Sequence, residues 1–271
     1  MSANIEPPKN NEEWDALVAK LMGRLPTTFK TYHAPRAGDF HRAIDHTLLS
    51  WTATTEEIDR VCYEAHHHRF AAVCVRLKHV ARAVQNLQQW PYIAVACVIA
   101  YPEGTQDTFE KEEEARQAIE QGAGELDMVL NWPLLKQKKY VSAYSDILEV
   151  RKVALEPVKL KVILETPQLT RDEIVGASIV AIMAGADYIQ SSTGIKEPRV
   201  TPELVSLMRA TCDILDRGTR VKASGDFRTA EDCMEVLRAG ADRVESSTSM
   251  QILQELGGEE LQEQGAEHAM Y

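Results

Sequence analysis

The stretch AGADYIQSSTG spans Ala184–Gly194, and a close copy, AGADRVESSTS, spans Ala239–Ser249. Each copy begins with a glycine typical of a helix end, continues as a short strand pattern and finishes in serine and threonine. The polar ends of strands are where a βα-barrel places its chemistry. The two copies differ in mid-strand, where Gln190 of the first is matched by Glu245 of the second.

Short apolar segments recur along the chain, separated by helical patterns. They are rich in Val, Ile and Ala, as expected for a sheet covered by helices on its outer face. There are eight such segments, over 41–49, 70–77, 92–100, 124–131, 158–166, 186–193, 219–225 and 241–248.

The strict alternation of strand and helix predicts an α/β protein with a parallel sheet. Eight units in about 210 residues favour a closed (β/α)₈ TIM barrel forming a single domain. A doubly wound open sheet is the main alternative, and it would place a glycine-rich phosphate turn after the first strand. The residues at 45–49 read DHTLL, which is not such a turn.

The barrel is predicted to span 41–258. Residues 1–40 are predicted to form an N-terminal helical extension with a helix over Glu12–Leu25, and 259–271 an acidic tail. The helix that begins after Thr170 has a capping-box sequence and ends at Ala184–Gly185. No stretch resembles a signal peptide or is long and apolar enough to span a bilayer.

Composition limits the classes of partner. The formal net charge of -11 argues against nucleic acid or an anionic membrane surface. The five cysteines are scattered, with no Cys-x-x-Cys pair, so we expect reduced thiols in a cytoplasmic protein. The expected partner is a small-molecule substrate, together with association into homodimers.

Strand parity places several polar residues on the inner wall of the predicted barrel, with Glu165 at its rim. Those on the wall are Asp45, Asp127, Lys161, Lys222 and Gln190. Buried charges cost several kcal/mol each unless they are paired. They could form a closed structural ion network, but charges at a barrel mouth more often serve chemistry. A buried Asp–Lys pair is expected to share a proton and to lower the lysine pKa.

Six ordered motifs resemble those of deoxyribose-phosphate aldolases, from about Ile44 to about Thr248. They are IDHTLL, AAVCV, GELDMVLN, LKVILET, AGADYIQSSTG and VKASG with RTAED. The resemblance implies a metal-independent and cofactor-free class I aldolase. Such an enzyme cleaves 2-deoxyribose 5-phosphate to glyceraldehyde 3-phosphate and acetaldehyde through a lysine imine. It further implies that Asp127 is a proton relay and Lys222 the second lysine. The position of the imine-forming lysine is Gln190, which cannot form an imine.

Other positions depart from the family pattern as well. The family's phosphate-binding glycines are replaced in part by Asp226 and Glu245, which would repel a phosphate unless Arg228 and Arg243 neutralise them. AAVCV continues as Arg76-Leu77, where the family usually has Asn-Pro. The predicted catalytic residues are Asp127 and Lys222, with no metal ligands. The predicted substrate-binding residues are Asp45, Thr47, Lys161, Glu165, Gln190, Ser192, Asp226, Glu245 and Trp132.

Three functions are compatible with these residues. The leading hypothesis is a repurposed enzyme that uses Asp127 and Lys222 for acid–base chemistry (aldol or retro-aldol reaction, isomerisation or cyclisation) on an unphosphorylated carbonyl substrate. The second is a deoxyribose-phosphate aldolase in which Lys222 is the nucleophile and Lys161 the neighbouring cation. The third is a catalytically inactive binding or regulatory protein.

Two further groups of residues, one of histidines and one of aromatic residues, bear on the predicted site. His66, His67 and His68 point in different directions on a helix and cannot converge on one metal ion, so we expect a solvated helix end. Trp51, Trp132 and Tyr101 either pack at the rim or line an apolar pocket. The sequence supports these two interpretations equally.

Overall fold

A computed structural model of the chain describes residues 5–257. Eight parallel strands close into a barrel in the order β1-β2-β3-β4-β5-β6-β7-β8, so the predicted TIM barrel is confirmed. The strands are β1 Ile44–Leu48, β2 Ala72–Val75, β3 Ala94–Ile99, β4 Glu125–Val129, β5 Lys159–Ile163, β6 Tyr188–Gln190, β7 Arg220–Ala223 and β8 Arg243–Ser246. Each lies within a predicted segment. The predicted tail at 259–271 lies outside the described residues.

Helices alternate with the strands on the outside of the barrel. They are α1 Asn11–Met22, α2 Thr55–His68, α3 Leu77–Leu87, α4 Thr108–Glu120, α5 Trp132–Lys136, α6 Tyr140–Val153, α7 Arg171–Met183, α8 Pro202–Leu215 and α9 Ala230–Arg238. Short 3-10 helices occupy Ala37–Ala43 and Thr166–Gln168, and 249–257 is helical. The first helix is predicted over Glu12–Leu25. It spans Asn11–Met22 and ends earlier because Gly23 forms its C-terminal cap.

Capping boxes fix the start of several helices. At α7 the Thr170 side chain accepts from the Glu173 backbone and the Glu173 carboxylate accepts from the Thr170 backbone, as the sequence predicts. The histidine run is the last turn of α2, and Arg69 ends the helix in the left-handed conformation at φ 55°. The prediction that these histidines lie at a helix end is therefore confirmed. Among the described residues, no helix combines the length and apolar character needed to cross a bilayer.

The barrel interior has two chemically different parts. Near the mouth one side is filled by a small apolar cluster, namely Cys74, Ala96, Val98, Tyr101, Val129 and Ile163. The rest of the interior carries buried charged side chains on β1, β4, β5, β7 and β8. The apolar core proper lies between the barrel and its helices. The charges thus lie within a closed shell that shields them from solvent.

The N-terminal helix α1 packs tightly against α6 and α7. Trp14 is fully buried, and its ring lies 6.5 Å from that of Tyr140 and 5.4 Å from that of Tyr144. Val18 and Leu21 on the same helix are buried too. The extension therefore contributes to the core of the domain.

We predict that Trp14→Ala lowers the free energy of unfolding by about 3–5 kcal/mol, because it leaves a large cavity under α1. Trp14→Phe keeps a ring in the same space and is expected to cost clearly less. Urea unfolding of both variants provides the measurement. Equal losses in the two variants would show that ring packing at this position does not hold α1 in place.

Candidate active site

A cluster of buried charges fills the centre of the barrel. It consists of Asp45, Glu125, Asp127, Lys161, Lys222, Arg243 and Glu245, none more than 9% exposed. The five side chains predicted on the inner wall, Gln190 among them, are all fully buried. Strand pairing brings them together, since Asp127 is in register with Lys161 and Gln190 with Lys222.

Lys222 lies at the centre of this cluster. Its Nζ lies 2.8 Å from Asp45, 2.5 Å from Asp127 and 2.6 Å from Glu245. Burial opposes the charged form, but attraction to Asp127, Asp45 and Glu245 outweighs it and raises the pKa of Lys222 well above its usual value. The expectation of a lowered lysine pKa is therefore wrong. The prediction considered one carboxylate beside the lysine, whereas three carboxylates contact it.

Lys161 and Arg243 complete the network towards the other end of the barrel. Lys161 Nζ lies 2.5 Å from Glu125 and 2.8 Å from Asp127. Arg243 donates to Asp45 over 2.6 Å from Nε and to Glu125 over 2.8 Å from Nη1. Burial opposes ionisation of Asp45, but Arg243, Lys161 and Lys222 outweigh it and lower its pKa.

The cluster contains one more acid than base. Lys161, Lys222 and Arg243 face four carboxylates, those of Asp45, Glu125, Asp127 and Glu245. Glu245 behaves differently from Asp45 and Asp127. Burial raises the pKa of Glu245, and attraction to Lys222 only partly offsets this. The protonated form is therefore favoured more at Glu245 than at Asp45 or Asp127.

Gln190 connects the cluster to the strand ends. Its Nε2 donates to Glu245 Oε2 and to Ser224 Oγ, each over 3.0 Å. Ser192 lies just beyond, and its hydroxyl donates to the Ser224 carbonyl over 2.8 Å. The amide thus fills the space between β7 and β8 with a neutral group.

One set of buried ligand atoms is close enough together to hold a cation. Cys74, Asp127 and Glu245 place such atoms within 4.8 Å of one another. The Lys222 ammonium already contacts both carboxylates, and burial raises the pKa of the Cys74 thiol well above its usual value. Because a metal prefers a thiolate, these residues fit a lysine better than a metal ion.

A cavity of about 610 Å³ opens at the carboxyl ends of the strands. This volume is typical of a small-molecule site. Of the predicted residues, Thr47, Asp226 and Glu245 line it, whereas Asp45, Asp127, Lys161, Gln190 and Lys222 lie beneath. Glu245 is therefore the member of the charged cluster that faces the cavity. We call this space the mouth cavity.

The Asp226 carboxylate is not isolated in the cavity wall. Arg228 Nε donates to Asp226 Oδ1 over 2.9 Å, so the two charges compensate each other. Asp226 has a φ of 57°, the left-handed region that favours glycine. The repulsion expected from Asp226 is therefore reduced by Arg228, as the sequence analysis allowed.

Other predicted residues lie away from the mouth cavity. Glu165 is fully buried and accepts from the Thr193 hydroxyl over 2.7 Å, and burial raises its pKa. Trp132 begins α5, with Lys196 Nζ 5.8 Å from its ring. Trp51 does line the cavity, and its ring stacks on Arg76. Tyr101 lines the cavity too, whereas Trp132 does not.

Sequence reasoning missed Arg76, Thr193 and Ser224 as cavity residues. The only available signal was the departure of Arg76 from the family pattern. A second cavity, of about 620 Å³, lies at the opposite end and is lined by Arg42, Arg69, Glu125 and Arg243. Barrel enzymes place their chemistry at the carboxyl ends of the strands, so the mouth cavity is the candidate active site.

Comparison with known proteins agrees with this class of fold. The family model described as DeoC/LacD family aldolase matches residues 40–253. The chain therefore belongs to the DeoC/LacD aldolase family. It is 47% identical over 258 residues to a deoxyribose-phosphate aldolase of Coccidioides immitis, and the match covers 94% of this chain and 96% of that protein. It is 42% identical to a deoxyribose-phosphate aldolase of Clostridium novyi over 80% of this chain and 96% of that one.

Solved structures give the same family. A crystal structure of a candidate deoxyribose-phosphate aldolase from Coccidioides immitis has a TM-score of 0.88 at 46% identity, covering 94% of this chain and 99% of that one. The tetrameric deoxyribose phosphate aldolase of Aeropyrum pernix has a TM-score of 0.74 at 26% identity, covering 88% and 95%. Oligomers thus occur among the relatives.

We predict that Lys161→Met lowers the free energy of unfolding at pH 7 by about 3–5 kcal/mol, because it leaves four buried carboxylates with two cations in place of three. Lys138→Met is the matched control, since Lys138 pairs with Asp15 at the surface and should change stability by less than about 1 kcal/mol. Chemical denaturation measures both. Equal effects would contradict the view that the internal network is held by paired charges.

This network should also make stability depend on pH. The pKa of Asp45 and that of Asp127 are lowered in the folded chain, since nearby cations outweigh burial. Their contribution is therefore present above the unfolded pKa of about 3.9 and is lost as the pH falls through the folded values. The Lys161→Met deficit should shrink between pH 7 and pH ~4, because the freed carboxylates can take up protons. A constant deficit across that range would argue against this account.

Proposed function

We propose that the chain is a lyase that cleaves or forms a carbon–carbon bond in a small carbonyl substrate at the mouth cavity. Deoxyribose 5-phosphate is the first candidate substrate. The support is twofold: the relatives named above are deoxyribose-phosphate aldolases, and Lys222 and Asp127 form a contact of 2.5 Å beneath the cavity. Lys222 is the proposed nucleophile and Asp127 the proposed proton relay.

The proposed reaction proceeds through an iminium ion on Lys222. The Lys222 amine adds to the substrate aldehyde carbon and water leaves, which gives an iminium ion. A base removes the proton of the C3 hydroxyl and the C2–C3 bond breaks, so that C3 becomes the aldehyde carbon of glyceraldehyde 3-phosphate, which leaves. The electron pair of the broken bond forms the C1–C2 double bond of an enamine and neutralises the iminium nitrogen. Protonation of the enamine at C2 and addition of water release acetaldehyde and restore the amine. Asp127 is placed to pass protons in these steps.

This route requires Lys222 to lose the proton that its neighbours stabilise. We infer that Glu245 accepts it, because its carboxylate lies 2.6 Å from Nζ, its pKa is raised and it faces the mouth cavity. We further propose that Gln190 occupies the position of the family's imine-forming lysine. The motif AGADYIQSSTG carries this inference.

A second candidate follows from the ion pairs of Lys222. Three carboxylates stabilise its ammonium, which favours acid–base chemistry without an imine on a substrate that lacks a phosphate. In this case Lys222 donates protons and Asp127 orients it, and the lysine forms no covalent bond to substrate. The two candidates make opposite predictions for covalent trapping.

We predict that borohydride reduction in the presence of acetaldehyde leaves a reduced ethyl adduct on Lys222, located by mass spectrometry of peptides. Lys222→Met should abolish that adduct, whereas Lys196→Met should leave it unchanged, because Lys196 pairs with Glu103 outside the charged cluster. Turnover of an unphosphorylated carbonyl substrate without any adduct would favour the acid–base candidate. Neither adduct nor turnover of any carbonyl substrate would favour an inactive binding protein.

We also predict that Gln190→Lys increases cleavage of deoxyribose 5-phosphate by at least about tenfold, through a nucleophile at the usual place in the family. The borohydride adduct should move to position 190. Gln190→Met is the matched control, since it is similar in length and has no amine. A folded Gln190→Lys protein without an adduct at that position would contradict the proposed role of this site.

A further inference from the structure

Arg76 is a buried cation in the wall of the mouth cavity. It follows β2, caps α3 and is only 7% exposed. Its Nε donates to the Leu49 carbonyl over 2.6 Å and its Nη1 to the Tyr101 carbonyl over 3.4 Å. The guanidinium lies 3.6 Å from the ring centre of Trp51 and 5.0 Å from that of Tyr101. Its orientation is therefore fixed before anything binds.

Arg76 forms no ion pair within the described part of the chain, although the Glu114 carboxylate, which accepts a hydrogen bond from the Ala100 backbone, attracts it from a distance. Three charged side chains line the mouth cavity: Arg76, Asp226 and Glu245. Asp226 is paired with Arg228 and Glu245 with Lys222, whereas Arg76 contacts only carbonyl oxygens and aromatic rings. Burial lowers the pKa of Arg76, yet arginine stays charged at neutral pH because its usual pKa exceeds about 12. The cavity wall thus carries one positive charge that has no ion-pair partner among the described residues.

We propose that Arg76 binds an anionic oxygen group of the substrate, and this inference rests on the proposed function of the mouth cavity. Nη2 makes no hydrogen bond to the described residues, so it can donate to an oxyanion. A charge-assisted bond from a fixed guanidinium is among the stronger polar interactions available in a protein. A carboxylate and a phosphate share this chemistry.

The position of Arg76 changes where the anion would bind. In the family that the sequence resembles, the phosphate lies against glycine-rich backbone after β7 and β8. Here Asp226 follows β7 and Glu245 lies near the end of β8, whereas Arg76 follows β2, on the far side of β1 from β8. An anionic group on the β2 side would avoid both carboxylates. The substrate would then extend from Glu245 towards Trp51.

The test is calorimetric titration of the full chain with inorganic phosphate and, separately, with acetate. Arg76→Gln should weaken binding of the preferred anion by about 10- to 100-fold, the effect of losing a charged hydrogen bond. Arg76→Lys keeps the charge without the fork and should fall between. Arg116→Gln is the matched control, since Arg116 pairs with Glu113 on the surface of α4 and does not line the cavity, and it should bind like the wild type. The thermal midpoint of each variant shows that it is folded.

Three results would overturn the proposal. The first is wild-type binding by folded Arg76→Gln. The second is an equal loss of binding in Arg76→Gln and Arg116→Gln, and the third is no binding of either anion to the wild-type chain. The preferred anion identifies the group as phosphate or carboxylate. The titration requires no turnover, so it is independent of the Lys222 adduct. In an active enzyme, Arg76→Gln should raise KM with little change in kcat.

Discussion

The contact of Lys222 with three buried carboxylates constrains the rest of this barrel. An ammonium and several carboxylates are tolerated in a closed interior only when each charge has close partners of opposite sign. Five of the eight strands, β1, β4, β5, β7 and β8, carry one of these groups. Each of these strands must therefore keep its register with its neighbours. The charged cluster and the barrel geometry depend on each other.

The same cluster explains why the site is difficult to interpret as a familiar aldolase. A nucleophilic lysine needs a neutral amine at working pH, which a nearby second cation promotes. Here the neighbours of Lys222 are mainly acids, and Gln190 adds a neutral amide rather than a cation. Family membership and local electrostatics therefore point in different directions. The fold sets the family, whereas the carboxylates around Lys222 set the charge of its amine.

The fold was accessible from sequence because strand–helix alternation and capping residues are local signals. Parity alone was sufficient to place Asp45, Asp127, Lys161, Lys222 and Gln190 on the inner wall. The direction of the Lys222 pKa was not accessible, since it depends on how many carboxylates meet one ammonium. That number requires register between distant strands. In the sequence, Arg76 is visible only as a departure from the family pattern. That it forms no ion pair with the described residues follows from three-dimensional packing.

The unequal count of acids and bases in the cluster has a consequence for how such sequences can vary. Four carboxylates face three cations, so the closed interior would accommodate one further positive charge more readily than one further negative charge. Positions 190 and 245 are hydrogen-bonded neighbours on β6 and β8, and a change at either alters this balance directly. A lysine at position 190 would compensate the negative charge of a glutamate at position 245. Among relatives, the two positions should therefore covary, and neither should be interpreted without the other.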